Sequence, residues 1–281
     1  LRALDAIGEF KEDKVVGYLI KIAVNNTNPS ADFSTDLNLR IHAARALEKF
    51  GGEQAVNCLI NIANGTTTED LRLRIDGARA LGKYGEGQAV NCLIDIANGT
   101  TTENLDLRRA ATCALRACKR ACKDDKAVAC LINIANGTTT EDLGLREAAI
   151  HALEDCEGEQ TVNCLINIAE TATNHHLRSV ATLKLGACKD DKAVDCFINI
   201  ANGTTTEDLD LRTTAVHALR TYGLEQAGDC LIKIANGTAS NYLDLIPRRL
   251  FTAEDNRDAV SLRSAAAAAL GESKNAKAVD C

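Results

Sequence analysis

The amino-acid sequence predicts an all-α protein, an α-solenoid in which two-helix repeats stack side by side. Three observations lead to this prediction. An eleven-residue segment recurs along the chain, its copies are about 34 residues apart, and apolar residues within each unit recur with the period of an α-helix. A hairpin of two short helices cannot bury its apolar face alone, so neighbouring hairpins must share one core.

The recurring segment reads AVNCLINIANG at 55–65. Clear copies begin at residues 89, 127, 161, 193 and 227, so successive steps are 34, 38, 34, 32 and 34 residues. A diverged copy begins at Val15, and AVDC begins again at Ala278. We therefore expect a single solenoid over residues 1–281, a right-handed superhelix of about seven repeats with partial repeats at both ends.

Each unit divides into two helical halves. The Asn64-Gly65 pair ends the first half, because Gly tolerates the left-handed backbone just past a helix C-terminus. The loop TTTED then offers Thr68 or Asp70 as the N-cap of a second helix, which Gly85 ends. Apolar residues of the first half fall at i, i+3, i+4 and i+7, on one stripe of a helix: Val56, Leu59, Ile60 and Ala63.

A Leu-Arg pair opens each second helix, followed by small residues and then Ala-Leu. Examples are LRIHAARAL at 39–47 and LRTTAVHAL at 211–219. This pattern resembles the VRxxAAxALG signature of HEAT-like repeats of the bilin-lyase type. The resemblance implies a HEAT-type solenoid in which the repeated arginine is a structural ladder that links adjacent repeats by hydrogen bonds. The arginines are Arg40, Arg74, Arg108, Arg146, Arg178, Arg212 and Arg263.

Three departures from the 34-residue unit give rise to further expectations. Four extra residues within 114–125 equal about one helical turn, so the second helix of repeat three can lengthen without losing phase. The insertion at about 238–257 carries aromatic and aliphatic residues and predicts an extra helix, which either packs on its own repeats or contacts a partner. The partial repeats predict exposed apolar edges, with missing sequence or end-to-end self-association.

Most of the cysteines fall on core positions of the repeat. Stacked helices lie 8–10 Å apart at their axes, whereas a disulfide needs Cα atoms within roughly 7 Å, so we expect buried reduced thiols and a cytoplasmic protein. Cys122, Cys156 and Cys188 take the last core position of the second helix, where Tyr84 stands in another repeat. The cysteines of the first helix are Cys58, Cys92, Cys130, Cys164, Cys196, Cys230 and Cys281.

Composition and motifs favour a binding protein over an enzyme. The formal net charge of -7 disfavours attraction to nucleic acid or to an anionic membrane. The sequence contains no GxSxG, GxxxxGK[ST] or HExxH motif and no zinc-type cysteine spacing. No histidine is followed by Glu, which argues against the iron site of deoxyhypusine hydroxylase. We therefore expect no catalytic residue, metal, cofactor or membrane span.

Exposed positions of the second helices recur once per repeat and form rows on what is usually the concave wall of a solenoid. The rows are basic over the first three repeats. We therefore expect a protein-interaction scaffold whose concave surface binds an unknown protein partner through an acidic segment of that partner. The candidate partner-binding residues are Arg45, Lys49, Arg72, Arg79, Lys83, Arg109, Arg116, His151 and His217.

Other functions stay open at this point. The repeat type alone suggests a bilin lyase or lyase subunit that acts on a pigment-binding protein. A DNA-binding HEAT-like protein is disfavoured by the net charge and by the absence of Trp. The near-identical copies also allow a recently expanded array in which length matters more than any one site.

Overall fold

The computed structural model describes residues 13–24, 33–84, 87–118, 123–188, 190–222, 224–236 and 253–272. Within these ranges the chain consists of helices joined by short loops and contains no strand. The predicted all-α repeat architecture is confirmed, while the handedness of the superhelix stays a prediction. The partial repeats and most of the 238–257 insertion lie outside the described residues, except that residues 253–257 belong to a helix.

The chain groups into two compact units, unit 1 (residues 1–156) and unit 2 (residues 157–281). The single solenoid over residues 1–281 stays a prediction. The described helices of unit 1 are α1 (Asp13–Val24), α2 (Phe33–Leu47), α3 (Glu53–Asn64), α4 (Leu71–Leu81), α5 (Gly87–Asn98), α6 (Leu105–Ala117), α7 (Asp125–Asn136) and α8 (Leu143–Leu153). Those of unit 2 are α9 (Glu159–Thr171), α10 (His175–Cys188), α11 (Asp191–Asn202), α12 (Leu209–Thr221), α13 (Leu224–Ala235) and α14 (Ala253–Glu272).

Odd-numbered helices are the first helices of hairpins, and even-numbered helices are the second. Within each unit, every helix packs against its hairpin partner and against the equivalent helix of the next repeat. The shared core is built from Leu, Ile, Val, Ala and Cys, and Leu59, Leu93 and Leu131 are fully buried at equivalent positions. Neighbouring hairpins therefore complete each other's core, as predicted.

The arginine of each second helix binds the C-terminal end of the first helix in its own hairpin. Arg74 Nε donates to the carbonyl of Ala63 at 3.1 Å, and equivalent bonds run from Arg40, Arg108, Arg146, Arg178, Arg212 and Arg263. Two of these arginines also reach the next repeat. Arg108 Nη2 donates to the carbonyl of Thr139, and Arg178 Nη2 to that of Thr205. Arg108 and Arg178 therefore make the link between adjacent repeats that the family resemblance implies, whereas the bond common to all seven arginines lies within one hairpin.

Glycine at the end of the first helix makes room for the arginine of the second helix. Gly65 has φ 83°, a left-handed conformation that satisfies the helix carbonyls, and its N–H donates to Ile62. A Cβ on Gly65 would lie 2.9 Å from Arg74 Cζ. The Asn-Gly pair therefore both ends the helix and leaves room for the guanidinium group.

The second helix begins at an acidic or amide N-cap. Asp70 accepts a hydrogen bond from the N–H of Leu73 at 3.0 Å, and Thr68 Oγ1 accepts one from the N–H of Asp70. Of the two residues that the sequence offers as caps, Asp70 is the cap and Thr68 supports it. The equivalent caps are Asn104, Asp142 and Asp208.

The cysteines of the first helices are buried, as predicted, and those that the structure describes are free thiols. They also join successive repeats. The Sγ atom of Cys92 lies 3.3 Å from Asn64 Oδ1 of the preceding repeat, and Cys130 and Cys230 make the equivalent contact. Cys122 and Cys281 lie outside the described residues.

The second helix of repeat three does not lengthen, contrary to the prediction. α6 ends at Ala117, and Cys118 has a non-helical ψ of 93°. Cys118 is buried and follows Leu115 by three residues, as Tyr84 follows Leu81, so Cys118 takes the last core position of α6.

Gly82 lies where α4 touches the backbone of α6, and Gly82→Ala is expected to destabilise the protein. A Cβ there would lie 2.9 Å from the Ala114 carbonyl oxygen, so the helices must shift, at about 1–3 kcal/mol. Gly186 holds the same repeat position in α10, where a Cβ would lie 3.7 Å from Ala218 Cβ. Gly186→Ala should stabilise by up to about 1 kcal/mol through helix propensity. Urea unfolding measures both, and equal effects would contradict the packing described.

Thr161 is fully buried, and its hydroxyl has no hydrogen-bond partner among the described residues. Thr161→Val removes this hydroxyl while keeping the shape, so the free energy of unfolding should rise by about 1 kcal/mol. Thr182 is equally buried, but its Oγ1 donates to the Arg178 carbonyl at 2.8 Å, so Thr182→Val should give no gain. Urea unfolding compares the two variants. A loss of stability in Thr161→Val would show that its hydroxyl is satisfied.

Stability is expected to fall with rising pH because of the buried thiols. Burial raises the pKa of Cys58 and Cys230 to about 11, and that of Cys92, Cys130, Cys164 and Cys196 to about 12. Unfolded thiols ionise near pH 8.5, so above that pH the unfolded state gains up to about 1.4 kcal/mol per pH unit per thiol. Urea unfolding under reducing conditions from pH 7.5 to 10 should show the fall. The Cys92→Ala/Cys130→Ala variant should show a shallower slope, and an unchanged slope would refute this origin.

Candidate partner-binding surface

Eight of the nine predicted partner-binding residues lie on one surface of unit 1. We call the exposed side of α2, α4, α6 and α8, with the turns that follow α2 and α4, the second-helix face. His217 lies on α12 of unit 2, where it is exposed. The second helices of unit 1 pack against each other more extensively than the first helices do. This close packing brings the predicted residues of successive repeats next to each other.

Arg45 and Arg79 meet at a carboxylate that the sequence analysis did not single out. Asp76 is 8% exposed, and its Oδ1 accepts hydrogen bonds from Arg45 Nε at 3.2 Å and Nη2 at 2.9 Å. Arg79 Nη1 lies 4.0 Å from the same oxygen. No other second helix carries an acid at this repeat position, where His42, Ala110, Ala148, Val180, Thr214 and Ala265 stand. The signal that the sequence offered was therefore an acid that is unusual for its repeat position.

Three more of the predicted cations pair with acids across neighbouring repeats. Lys83 Nζ lies 3.4 Å from Glu48, and Arg109 Nη2 lies 3.4 Å from Asp142. Arg116 Nε donates to Asp155 Oδ2 at 2.9 Å, with Glu154 at 3.6 Å from Nη2. The second-helix face therefore carries interleaved charges of both signs, and not the uniform basic patch that the row of arginines suggests.

Lys49 and Arg72 are exposed and make no ion pair with any residue that the structure describes. His151 lies 3.6 Å from Glu147 on its own helix. Of the predicted cations of unit 1, Lys49 and Arg72 can therefore meet a partner without first giving up an ion pair to a described residue.

A groove lies between α6 and α8 and brings three predicted residues together. Its volume is about 480 Å³. Two arginines are separated along α6 by Cys113, which is an exposed thiol. The Arg109 guanidinium lies over Gly144, since a Cβ on Gly144 would be 2.7 Å from Arg109 Nη2. The lining residues are Arg109, Cys113, Arg116, Gly144, Glu147, Ala148 and His151.

The groove arises where one copy carries smaller residues than most other repeats do. Gly144 stands where other second helices carry larger side chains, among them Arg72, Asp106 and Asp210. Cys113 stands where Arg45 or Arg79 would fill the space. The sequence could have indicated the groove, because the two departures lie on adjacent helices of repeats three and four.

A second hollow, of about 700 Å³, lies in unit 2 between the start of α10 and the loop before α12. His175 Nδ1 lies 2.9 Å from Asp208 Oδ2, and Asp208 caps α12. Burial raises the pKa of Asp208, but hydrogen bonds from the Leu211 N–H and from His175 outweigh it and lower the pKa. We interpret this hollow as a junction between two repeats and not as a binding site, because Asp208 directs its hydrogen bonds to His175 and to the backbone of α12.

No group of three or more His, Cys, Asp or Glu side chains among the described residues is placed to hold a metal ion. None of the described helices is long and apolar enough to cross a membrane.

Comparison with known proteins supports the repeat assignment. Residues 31–116 match the family model of HEAT repeats. No curated protein sequence matches the chain. Among solved structures, the E. coli protein YibA is 17% identical with a TM-score of 0.48, covering 94% of this chain and 95% of its own.

Two enzymes also have similar structures. The CpcE–CpcF complex of the Nostoc phycocyanin lyase is 22% identical, with a TM-score of 0.40, covering 82% of this chain and 86% of that one. Human deoxyhypusine hydroxylase, solved with glycerol, is 18% identical with a TM-score of 0.36, covering 93% and 96%. Likenesses this distant carry no argument about function. Residues 31–116 therefore match HEAT repeats, and hairpins of the same construction follow in the other described helices.

Proposed function

We propose that this protein is an interaction scaffold that binds a partner protein through the second-helix face of unit 1. One observation carries the proposal: ion pairs such as Lys83–Glu48 and Arg116–Asp155 join side chains of successive repeats into one continuous exposed surface. Because the second helices beneath this surface pack closely against each other, their backbone is in place before a partner arrives, so binding has to order little of the chain. Helical solenoids bind partners through extended surfaces of this kind.

The partner that suits this surface carries an acidic segment. Lys49 and Arg72 are exposed cations without an ion pair among the described residues, so they can attract carboxylates at a low desolvation cost. Free, buried thiols such as Cys92 support a cytoplasmic location for the complex. No observation on the described residues favours a bilin lyase or a DNA-binding protein, so neither is proposed.

Arg45 and Arg79 are poor positions for testing this function. Arg45→Glu would place a second carboxylate beside Asp76, which is 8% exposed, and would break two hydrogen bonds. Loss of a buried partner of this kind destabilises the fold. A binding defect in that variant would therefore not separate recognition from stability.

The charge-reversal variant Lys49→Glu/Arg72→Glu is expected to lose the partner while keeping the fold, because neither side chain forms an ion pair with a residue that the structure describes. The tagged full chain is used to capture proteins from the native lysate at low salt, followed by quantitative mass spectrometry. A partner bound through this face should be depleted at least about tenfold relative to wild type. Thermal melting checks that the variant remains folded.

The matched control is Lys14→Glu/Lys126→Glu, which makes the same change of charge on exposed lysines of the first helices α1 and α7. It should capture the partner as wild type does. Equal capture by all three proteins would rule out the second-helix face. Failure of the wild-type chain to retain any protein above a bait-free column would contradict the scaffold function itself.

A further inference from the structure

We propose that the Asn-Gly pairs at the ends of the first helices are sites of spontaneous deamidation that the stacked repeats keep closed, and that the cysteine of the following repeat holds the asparagine amide in place. In this reaction the glycine nitrogen attacks the side-chain carbonyl carbon of asparagine. A C–N bond to the glycine forms, and ammonia leaves with the proton that the glycine nitrogen loses. Water then opens the succinimide ring to aspartate or isoaspartate. The proposal is independent of the partner that the protein binds.

The Asn-Gly pairs that end α3, α5, α7 and α11 have the same neighbours in sequence. Each pair lies within IANGTTTE, at residues 62–69, 96–103, 134–141 and 200–207. Glycine has no side chain to hinder the approach of its nitrogen, so Asn-Gly is well suited to this reaction. Because the local sequence is the same, the unfolded chain should deamidate at these pairs at one rate. Any difference in the folded protein then comes from the structure.

The helix holds the glycine nitrogen in the folded chain. Gly65 N–H donates to the carbonyl of Ile62 at 3.1 Å, and Asn64, the last residue of α3, accepts a bond from Arg74 Nη2 on its backbone carbonyl at 3.3 Å. The succinimide ring requires the asparagine Cβ and the glycine nitrogen to eclipse each other about the Cα–C bond. A helical ψ, near about −42°, keeps them apart. The end of the helix must therefore open before the ring can close.

The next repeat holds the asparagine side chain. Cys92 Sγ donates to Asn64 Oδ1 at 3.3 Å, across the junction between two hairpins. Burial raises the pKa of Cys92 to about 12, so the thiol keeps the proton that it donates. This bond fixes the side-chain amide, so its carbonyl carbon can meet the glycine nitrogen only after the two repeats separate at this contact. The equivalent contacts join Cys130 to Asn98 and Cys230 to Asn202.

Deamidation would mark a repeat that has opened. Isoaspartate adds one carbon to the main chain between residues 64 and 65, where the Gly65 N–H bond to Ile62 and the Arg74 bond to Asn64 both depend on the original spacing. The modified helix end therefore cannot recover all of its original contacts. The product accumulates at the junction between repeats that opens most often.

The test follows deamidation of each pair in the full chain at neutral pH under reducing conditions. Trypsin places the pairs on separate peptides, and tandem mass spectrometry locates aspartate and isoaspartate within them. In guanidinium chloride, Asn64, Asn98, Asn136 and Asn202 should deamidate at the same rate. In the native protein, each should be slower by at least about tenfold, because the reaction waits for local opening.

Substitution of one cysteine should release one asparagine. Cys92→Ala is expected to raise the native rate at Asn64 about threefold, the effect of losing one weak hydrogen bond, while the rate at Asn202 stays at its wild-type value. Cys230→Ala should do the reverse. Cys92→Ser keeps an O–H donor at the same place, so the rate at Asn64 should stay close to wild type. Thermal melting checks that each variant is folded.

Cys58→Ala is the matched control for lost packing. Cys58 lies in α3, the helix that Asn64 ends, and is 5% exposed, as Cys92 is. The change therefore loosens the core near Asn64 but leaves the donor to its amide, so the rate at Asn64 should stay close to wild type. The proposal is overturned if native and denatured rates are equal, or if Cys92→Ala leaves the rate at Asn64 unchanged. Equal acceleration at Asn64 by Cys92→Ala and by either Cys58→Ala or Cys92→Ser would also overturn it.

Discussion

The hydrogen bond from the second-helix arginine to the end of the first helix is the interaction on which the repeat depends. The last carbonyls of a helix have no partner inside that helix, and burying them unpaired would cost free energy. Arg74 satisfies the Ala63 carbonyl, and the same bond recurs throughout the described chain. The guanidinium group belongs to the second helix and bonds the end of the first. It therefore fixes the angle between the two helices close to the turn that joins them.

Stacking follows from this fixed hairpin. Once every hairpin has the same geometry, equivalent side chains come into register between neighbours, and a position repeated in the sequence becomes a row in space. Thus Cys130 meets Asn98 of the preceding repeat, and Tyr84 donates its hydroxyl proton to the Leu47 carbonyl at 2.6 Å. The rows in turn decide which exposed residues can act together.

Much of this could be predicted from the sequence, because helix periodicity and caps are local. The Asn64-Gly65 helix end, the Asp70 cap and the buried cysteine row depend on residues a few positions apart. The predicted lengthening of α6 was wrong. An insertion of four residues is about one helical turn, so it is compatible with a longer helix but does not require one. The non-helical ψ of Cys118 and its burial show that the helix ends before this residue.

The contacts of the second-helix face could not be predicted in the same way. Arg45 and Asp76 are 31 residues apart, and their contact depends on the axial offset between neighbouring hairpins, which no local pattern encodes. Periodicity shows that two residues share a row, but not whether the row repels itself or is neutralised by an acid from the next helix. Individuality in a repeat protein therefore lies where one copy departs from the others. Asp76 joins two arginines at such a departure, and Cys113 and Gly144 open a groove at another.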